Sequence, residues 1–267
     1  HINLDWHLND HHEFYVDVAE NMRAYEVSAF GVGNSIYSVQ DQATFQAQKR
    51  AAEPSKAWVY LGGYRYTSRY LQANATIYHA SLIHPLLAAA VGSLTNPVSQ
   101  VIDFGHISMT GANGAITLTP IRGLSFTNTL SYNKGTYDRN VDTVGGYYGL
   151  SGKNIVNYPA WMYKTALSYT WKGATAHFDA NYFGRRYYSF MNDTSVPGYW
   201  VANAGLEYRF GDMSVLKNVT ASFNVYNLFN NKYISMMGQN DNPAVGDYQS
   251  MERGAVREFF GTVSTSF

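Results

Sequence analysis

Cysteine is absent from all 267 residues. That excludes a disulfide framework, a thiolate metal site and a cysteine nucleophile. Charge is scarce as well: Asp, Glu, Lys and Arg make up 14% of the chain, and 19 basic residues balance 19 acidic ones. A chain so neutral offers no electrostatic reason to bind nucleic acid. Long hydrophobic runs are missing too. The longest, "LLAAAV" at Leu86 to Val91, is far shorter than the roughly 18 apolar residues of a membrane-crossing helix. A helical membrane protein is therefore excluded, but a membrane β-barrel is not, because its strands are only half apolar. No H-E-x-x-H, G-x-S-x-G or phosphate-loop pattern occurs, so no catalytic residue, metal ligand or cofactor is expected. The opening "HINLDWHL" has neither Met nor a signal-peptide pattern, which predicts a piece of something longer or a processed product.

Aromatic residues, by contrast, are abundant: 16% of the chain, including 23 tyrosines. Tyr is a strand former with an apolar body and a polar tip, suited to surfaces that are half apolar and half wet. Period-2 alternation recurs along the chain, and helical periodicity is hard to find. In "LQANATIY", Leu71, Ala73, Ala75 and Ile77 face away from Gln72, Asn74 and Thr76. In "ATAHFDANYF", Ala176, Phe178, Ala180 and Tyr182 oppose His177, Asp179 and Asn181. In "GLSFTNTLSY", Leu124, Phe126, Leu130 and Tyr132 share a face interrupted by Asn128. The alternation predicts eleven strands, near 1–8, 12–26, 56–69, 71–83, 101–119, 123–137, 158–172, 174–188, 198–210, 218–230 and 254–267.

Short connections at 9–10, 68–69, 120–123, 172–173 and 211–218 alternate with longer ones at about 27–55, 84–100, 138–157, 189–197 and 231–253. One end of an antiparallel sheet thus carries tight turns and the other carries long loops, the asymmetry of outer-membrane barrels. A soluble sandwich or propeller is the competing fold. Against it stand the strongly polar faces opposite the apolar sets and the Tyr and Trp at strand ends: Trp58, Tyr60, Tyr64, Tyr66, Trp161, Trp171, Tyr199 and Trp200. Bacterial single-chain barrels have even strand numbers. Eleven strands fit half of a 22-stranded barrel with a plugged lumen, and such a half leaves two unpaired edges. The fold class expected is all-β, an antiparallel transmembrane barrel, with residues 1–267 forming its C-terminal portion.

The end of the chain carries more specific patterns. "NLFNNKYIS" (Asn227 to Ser235) is followed by "RGAVREFFGTVSTSF" (Arg253 to Phe267). This pair resembles the C-terminal end of TonB-dependent outer-membrane receptors, in which N-L-F-(D/N)-x-x-Y precedes G-A-P-R-x-(F/Y), a last strand and a terminal aromatic. Val256 stands where the family usually has Pro. "HHEFYVDVAENMRAY", "EPSKAWVYLGGYRY" and "VPGYWVANAGLEYRFG" resemble further stretches of that family, and their order spans nearly the whole chain. The resemblance implies a non-enzymatic receptor in the outer membrane of a Gram-negative bacterium. It would import a scarce solute, a ferric siderophore first and a carbohydrate, heme or vitamin behind it, with energy passed by TonB. The plug domain, its TonB-contacting segment (the TonB box) and the first half of the barrel are not in this sequence. The full-length receptor is expected to be a monomer. A passive channel or an autotransporter-type barrel is the alternative.

Further expectations concern sites. Long loops on a rigid scaffold carry recognition, so Tyr147, Tyr148, Lys153, Arg185 and Arg186 are the candidate ligand contacts, able to meet an anionic, aromatic-rich solute. Tyr187 and Tyr188 fit an interfacial girdle equally well, with arginines reaching for lipopolysaccharide phosphates. Phe259, Val263 and Phe267 share a face and resemble the signal read by the barrel assembly machinery. The cluster of His7, Asp10, His11, His12 and Glu13 straddles a turn and is expected to splay into solvent rather than hold a metal. Met236 and Met237 are expected to pack within a loop, Phe229 and Tyr233 to anchor at the interface, Asn230 and Asn231 to form a turn, and Lys164, Asp179, Glu207 and Arg209 to face the lumen.

Overall fold

The computed structural model describes residues 1–23, 54–93, 96–143, 146–213, 215–237, 242–246 and 251–266. Among them no helix is long and apolar enough to cross a membrane, and every regular element is a strand. In chain order these are β1 (Ile2–Asn9), β2 (His12–Arg23), β3 (Ser55–Thr67), β4 (Leu71–Ile83), β5 (Leu86–Ser93), β6 (Asn96–Asp103), β7 (His106–Leu118), β8 (Leu124–Tyr137), β9 (Val141–Thr143) and β10 (Gly146–Tyr148). The remainder are β11 (Trp161–Trp171), β12 (Ala174–Phe183), β13 (Arg186–Tyr187), β14 (Ser195–Val196), β15 (Tyr199–Met213), β16 (Leu216–Tyr226), β17 (Ile234–Met237), β18 (Asn242–Pro243), β19 (Met251–Arg253) and β20 (Glu258–Ser266). Eleven of them form one sheet, in the order β1-β2-β3-β4-β7-β8-β11-β12-β15-β16-β20. Every pairing in that sheet is antiparallel and joins neighbours along the chain. The shorter strands lie in the long connections.

Opposite residues of paired strands share a face. The registers place Leu4 beside Val16, Phe14 beside Tyr64, Ile77 beside Ala112, Phe126 beside Leu167, Leu206 beside Phe223 and Ala221 beside Val263. Each apolar set read from the sequence therefore joins one continuous face, and that face is bare: Ile77 is 69% exposed, Leu206 63% and Val263 75%. A water-soluble fold would bury such a face against a second layer. A barrel turns it to lipid instead. Paired aromatics sit toward its loop end, with ring centroids of Tyr132 and Trp161 4.7 Å apart and of Tyr182 and Trp200 5.1 Å apart. Asn128, the intruder on this face, accepts a 2.5 Å hydrogen bond from Tyr163 Oη and so is not left unpaired.

Tight turns close one end. Lys172 and Gly173 both have positive φ (46° and 86°), the requirement of a two-residue type I′ hairpin turn. The connection expected at 211–218 is mostly strand: β15 runs to Met213 and β16 resumes at Leu216, with register shifts around Gly211 that mark bulges.

The long-loop end differs more from expectation. Residues 101–103 belong not to a barrel strand but to a hairpin, β5–β6, that uses "LLAAAV" as its first arm. Asp103 Oδ1 accepts the Gly105 amide at 2.7 Å, and Gly105 turns the chain at φ 70° before β7 begins. The strand expected to reach residue 188 stops at Phe183, and the one expected to reach 230 stops at Tyr226. Residues 24–26 and Phe267 lie outside the described residues. A small core packs among the loops: Phe104, Tyr137 and Phe190 form a ring triangle with centroids 4.8 to 5.9 Å apart, against Ala89, Val141 and Leu150.

At the end of β16 the "NLFNN" segment is a hydrogen-bonded hub. Asn227 is 2% exposed, with φ 48°. Its Nδ2 donates to the carbonyls of Asn231 and Ala255, each at 2.9 Å, and its Oδ1 accepts the Asn231 amide at 2.9 Å. Asn230 takes φ 53° and accepts the Arg257 amide at 3.0 Å, while Asn231 Nδ2 donates to the Trp200 carbonyl at 2.9 Å. Phe229 is exposed, and Tyr233 stacks on Tyr199 at 4.4 Å.

Candidate functional site

The face opposite the apolar one is polar, and near the loop end three strands build a site on it. Tyr78 of β4, Gly111 of β7 and Asn133 of β8 are in register. A Cβ at Gly111 would lie 2.6 Å from the Tyr78 ring and 2.5 Å from the Tyr132 carbonyl oxygen. Only glycine lets the Tyr78 ring cross β7 and donate its hydroxyl hydrogen to Asn133 Oδ1, at 2.6 Å. Tyr78 has spent its one hydrogen there, so Tyr158, 3.0 Å away, must be the donor in the phenol pair. Burial, then contact with Tyr78, pushes the Tyr158 phenol above its ordinary pKa and keeps it protonated. Tyr15 uses the same device, crossing Gly63 to reach Thr76 Oγ1 at 2.6 Å. Gly111→Ala is therefore expected to destabilise the sheet by about 1–3 kcal/mol, as overpacking does. Urea titration of the intact protein in detergent would measure it, and an unchanged midpoint would count against the crossing.

Beside this row lies a cavity of about 380 Å³. Asn133, Tyr158, Trp161, Tyr182, Arg185 and Tyr187 are among its walls. Asn133 is 6% exposed, and its Nδ2 has no hydrogen-bond partner among the described residues. Arg185 is exposed, with its guanidinium carbon 5.4 Å from the Tyr187 ring centroid.

The sequence-derived candidates separate here. Arg185, just before β13, lines the cavity and is exposed, whereas its neighbour Arg186 is not in that lining. Arg186 is buried and donates to Asn157 Oδ1 (3.0 Å), the Ile234 carbonyl (2.6 Å) and the Ser235 carbonyl (3.4 Å), which pins three loop segments. Tyr147 and Tyr148 divide likewise: Tyr147 is exposed and Tyr148 packs on the loop core. The Lys153 carbonyl accepts the Tyr137 amide at 3.0 Å. Tyr188 is buried with Val196 and Met237, so it sits in a loop core rather than a girdle; Met236 is exposed. Asn133, Tyr78 and Tyr158 were not legible as a group, because only the register of three strands brings them together.

Asp193 braces the same loop. Partial burial raises its pKa, but hydrogen bonds from Ser189 and the amides of Gly246 and Thr194 outweigh that and hold the carboxyl below its ordinary 3.8. A depressed folded-state pKa gives stability that is present above the unfolded value and lost as pH falls through the folded one. Hydrogen exchange across 184–198 should therefore quicken below about pH 4, and Asp193→Asn should already be fast at pH 6. A pH-independent wild-type profile would refute the brace.

Elsewhere, Asp179 accepts Asn203 Nδ2 at 2.8 Å and Asn181 Nδ2 at 3.1 Å on the polar face, and Glu207 pairs with Arg209 at 3.1 Å. Lys164 and Asp179 line a second hollow of about 370 Å³ with His177. Of the cluster near the first turn, His11 and His12 go to separate partners, His11 Nδ1 to the Thr67 carbonyl and His12 Nδ1 to Tyr64 Oη, while Glu13 pairs with Arg65 and keeps His7 Nδ1 at 3.9 Å. Among the described residues, no three His, Asp or Glu side chains are grouped to hold a metal ion. On the apolar side of the loop end, His106 joins Ser81 (2.7 Å) to Asp138, a staple across β4, β7 and the end of β8.

A family model described as "TonB dependent receptor-like, beta-barrel" matches residues 1–228. Curated protein sequences give no match. Among solved structures, the chain is similar to a copper transporter, OprC (TM-score 0.73, 15% identity, covering 99% of this chain and 39% of that one). It is also similar to the siderophore receptor PiuA from Acinetobacter baumannii (0.73, 15%, 98% and 34%). The ferric yersiniabactin uptake receptor FyuA from Yersinia pestis is a third (0.70, 14%, 99% and 37%). At these identities the likeness is one of fold. The chain spans between about a third and two fifths of the length of those three.

Proposed function

Because the chain belongs to the TonB dependent receptor-like β-barrel family, we propose that it is the C-terminal half of a 22-stranded outer-membrane barrel that imports a ferric siderophore. Receptors of this family are transport proteins and not enzymes. A plug domain and the first eleven strands would precede residue 1 in the full receptor, a monomer, and TonB would act through that plug. The apolar face would meet outer-membrane lipid, with lipopolysaccharide around the loop end. Phe259 and Val263, both exposed on that face, would join Phe267 as the signal for the barrel assembly machinery.

The observation that carries the reading is the cavity at the long-loop end, where an exposed cation, Arg185, lies over the Tyr187 ring with Tyr158 in the same lining. An iron chelate is typically anionic and rich in flat, polarisable groups, which Arg and Tyr bind through charge-assisted hydrogen bonds and cation–π contacts. Tyr147 and Lys153 would add contacts from the neighbouring loop; Tyr148 and Arg186 would hold that surface in place. In a strain lacking the receptor, growth and uptake on ferric chelates should fall and return with the intact gene. Uptake unchanged for iron but lost for an oligosaccharide would replace this reading with a carbohydrate importer.

A further inference from the structure

The tight-turn end of the sheet has a hollow of its own, of about 480 Å³, between the β3–β4 turn and the β7–β8 turn. Arg69, Tyr70, Ile121, Arg122 and Leu124 are among its walls. The two turns are tied together: the Thr119 amide donates to the Tyr70 carbonyl at 2.9 Å, and Thr119 Oγ1 donates to the Arg69 carbonyl at 3.3 Å. On the far side, the Gly123 carbonyl accepts the Thr170 amide of β11 at 2.8 Å. Both arginines therefore sit on braced backbone, and both are exposed. Arg65 and Arg209, on the polar face, each pair with a glutamate, Glu13 and Glu207. Arg69 and Arg122 have no carboxylate partner among the described residues, and no Asp or Glu lines the hollow. The Arg69 guanidinium carbon lies 5.2 Å from the Tyr70 ring centroid instead.

Resting on the reading of this sheet as an outer-membrane barrel wall whose tight turns face the periplasm, we infer that the hollow seats the phosphate of an anionic phospholipid of the periplasmic leaflet, held by Arg69 and Arg122. Guanidinium groups without a carboxylate among them select an anion, and their planar fork matches phosphate oxygens. The rest of the wall separates a lipid phosphate from a free one. Tyr70 and Ile121 are 52% and 58% exposed, and a small hydrated anion would leave both bare. Leu124 belongs to the hollow and also to the bare apolar face, where it pairs with Tyr169. Two residues further along that face, Phe126 pairs with Leu118, and both are exposed. A glycerophospholipid fits this order from turn to strand: headgroup on the arginines, glycerol beside Tyr70 and Ile121, acyl chains along Leu118 and Phe126. Phosphatidylglycerol suits it better than phosphatidylethanolamine, whose ammonium would add a cation where no carboxylate stands. The next tight turn also sets a cation on an aromatic ring, with Lys172 Nζ 4.7 Å from the Trp171 ring centroid. It lies outside the hollow and so supplies a control.

The intact protein, delipidated in detergent, is titrated with dioleoylphosphatidylglycerol or dioleoylphosphatidylethanolamine, and bound lipid is counted by native mass spectrometry. The first phosphatidylglycerol should bind at least about fivefold more tightly than phosphatidylethanolamine, the effect of one basic residue at an anionic surface. The double variant Arg69→Gln, Arg122→Gln should erase that preference, and Lys172→Gln should leave it in place. All three residues are exposed on turns, and heat-modifiable mobility confirms that the variants fold. Equal affinity for the two lipids, or a preference that survives in the double variant, overturns the site. So does an equal loss in Lys172→Gln, which would show diffuse surface charge. Excess sodium phosphate should leave the lipid bound; complete displacement would assign the arginines to a free anion and overturn the lipid. If the preference is present and is erased in the double variant but no ferric chelate is imported, the lipid site stands and the siderophore reading fails. If chelates are imported and no preference exists, the lipid site fails and the siderophore reading stands.

Discussion

Asn227→Ala is expected to lower the unfolding free energy of the intact receptor by on the order of 3 kcal/mol. Three hydrogen bonds of a 2%-exposed side chain disappear together. Their partners, the carbonyls of Asn231 and Ala255 and the amide of Asn231, are left without that side chain. Each buried group left unpaired costs about 1–3 kcal/mol, softened where water can enter. Alanine must also hold φ near 48°, which Asn tolerates far better. Asn227→Gly separates the two contributions, since it keeps the backbone angle and loses only the side-chain bonds. Urea unfolding in detergent, followed by heat-modifiable mobility, should rank wild type above Gly above Ala. Equal midpoints for all three would show that the hub does not hold β16 to the segment before β20.

The second large effect tests the bare face. Leu167 lies midway along β11, between Trp161 and Trp171, paired with Phe126 and Phe178. Leu167→Arg places a cation near the middle of the apolar band, where the cost in a lipid-facing barrel is about 2–4 kcal/mol. Ser168→Arg, one residue on, points to the opposite, polar face and should cost well under 1 kcal/mol. The contrast is best read as folded yield into bilayer vesicles and as unfolding midpoint there. If the penalties were reversed or equal, the assignment of faces would be wrong.

The eleven-stranded sheet was legible because alternation is local: each strand states its own two faces. The ends of strands were less so. Residues 101–103 alternate acceptably with the start of β7, and only the Asp103–Gly105 turn detaches them into a loop hairpin. Arg186 reads like Arg185 in the sequence, but only Arg186 enters the short strand β13, and one became a cavity wall while the other became a buried brace. The asparagines of "NLFNN" read correctly as turn formers at Asn230, while the deeper role fell to Asn227, whose partner carbonyl at Ala255 is 28 residues away. Tyr78, Gly111 and Asn133 carry no shared signal at all, since their row exists only once three strands are in register.

The loop core has a consequence for transplanting loops between barrels. Asn242 and Pro243 pair in parallel with Ala89 and Ala90, while the amides of Phe190 and Met191 bond the carbonyls of Pro243 and Ala244. Phe190 in turn packs with Phe104 and Tyr137, and Leu150 joins the same cluster. Pieces of four separate connections thus share one interior. A single loop grafted onto another barrel would arrive without the surfaces that fold it, so the four segments would have to be exchanged together.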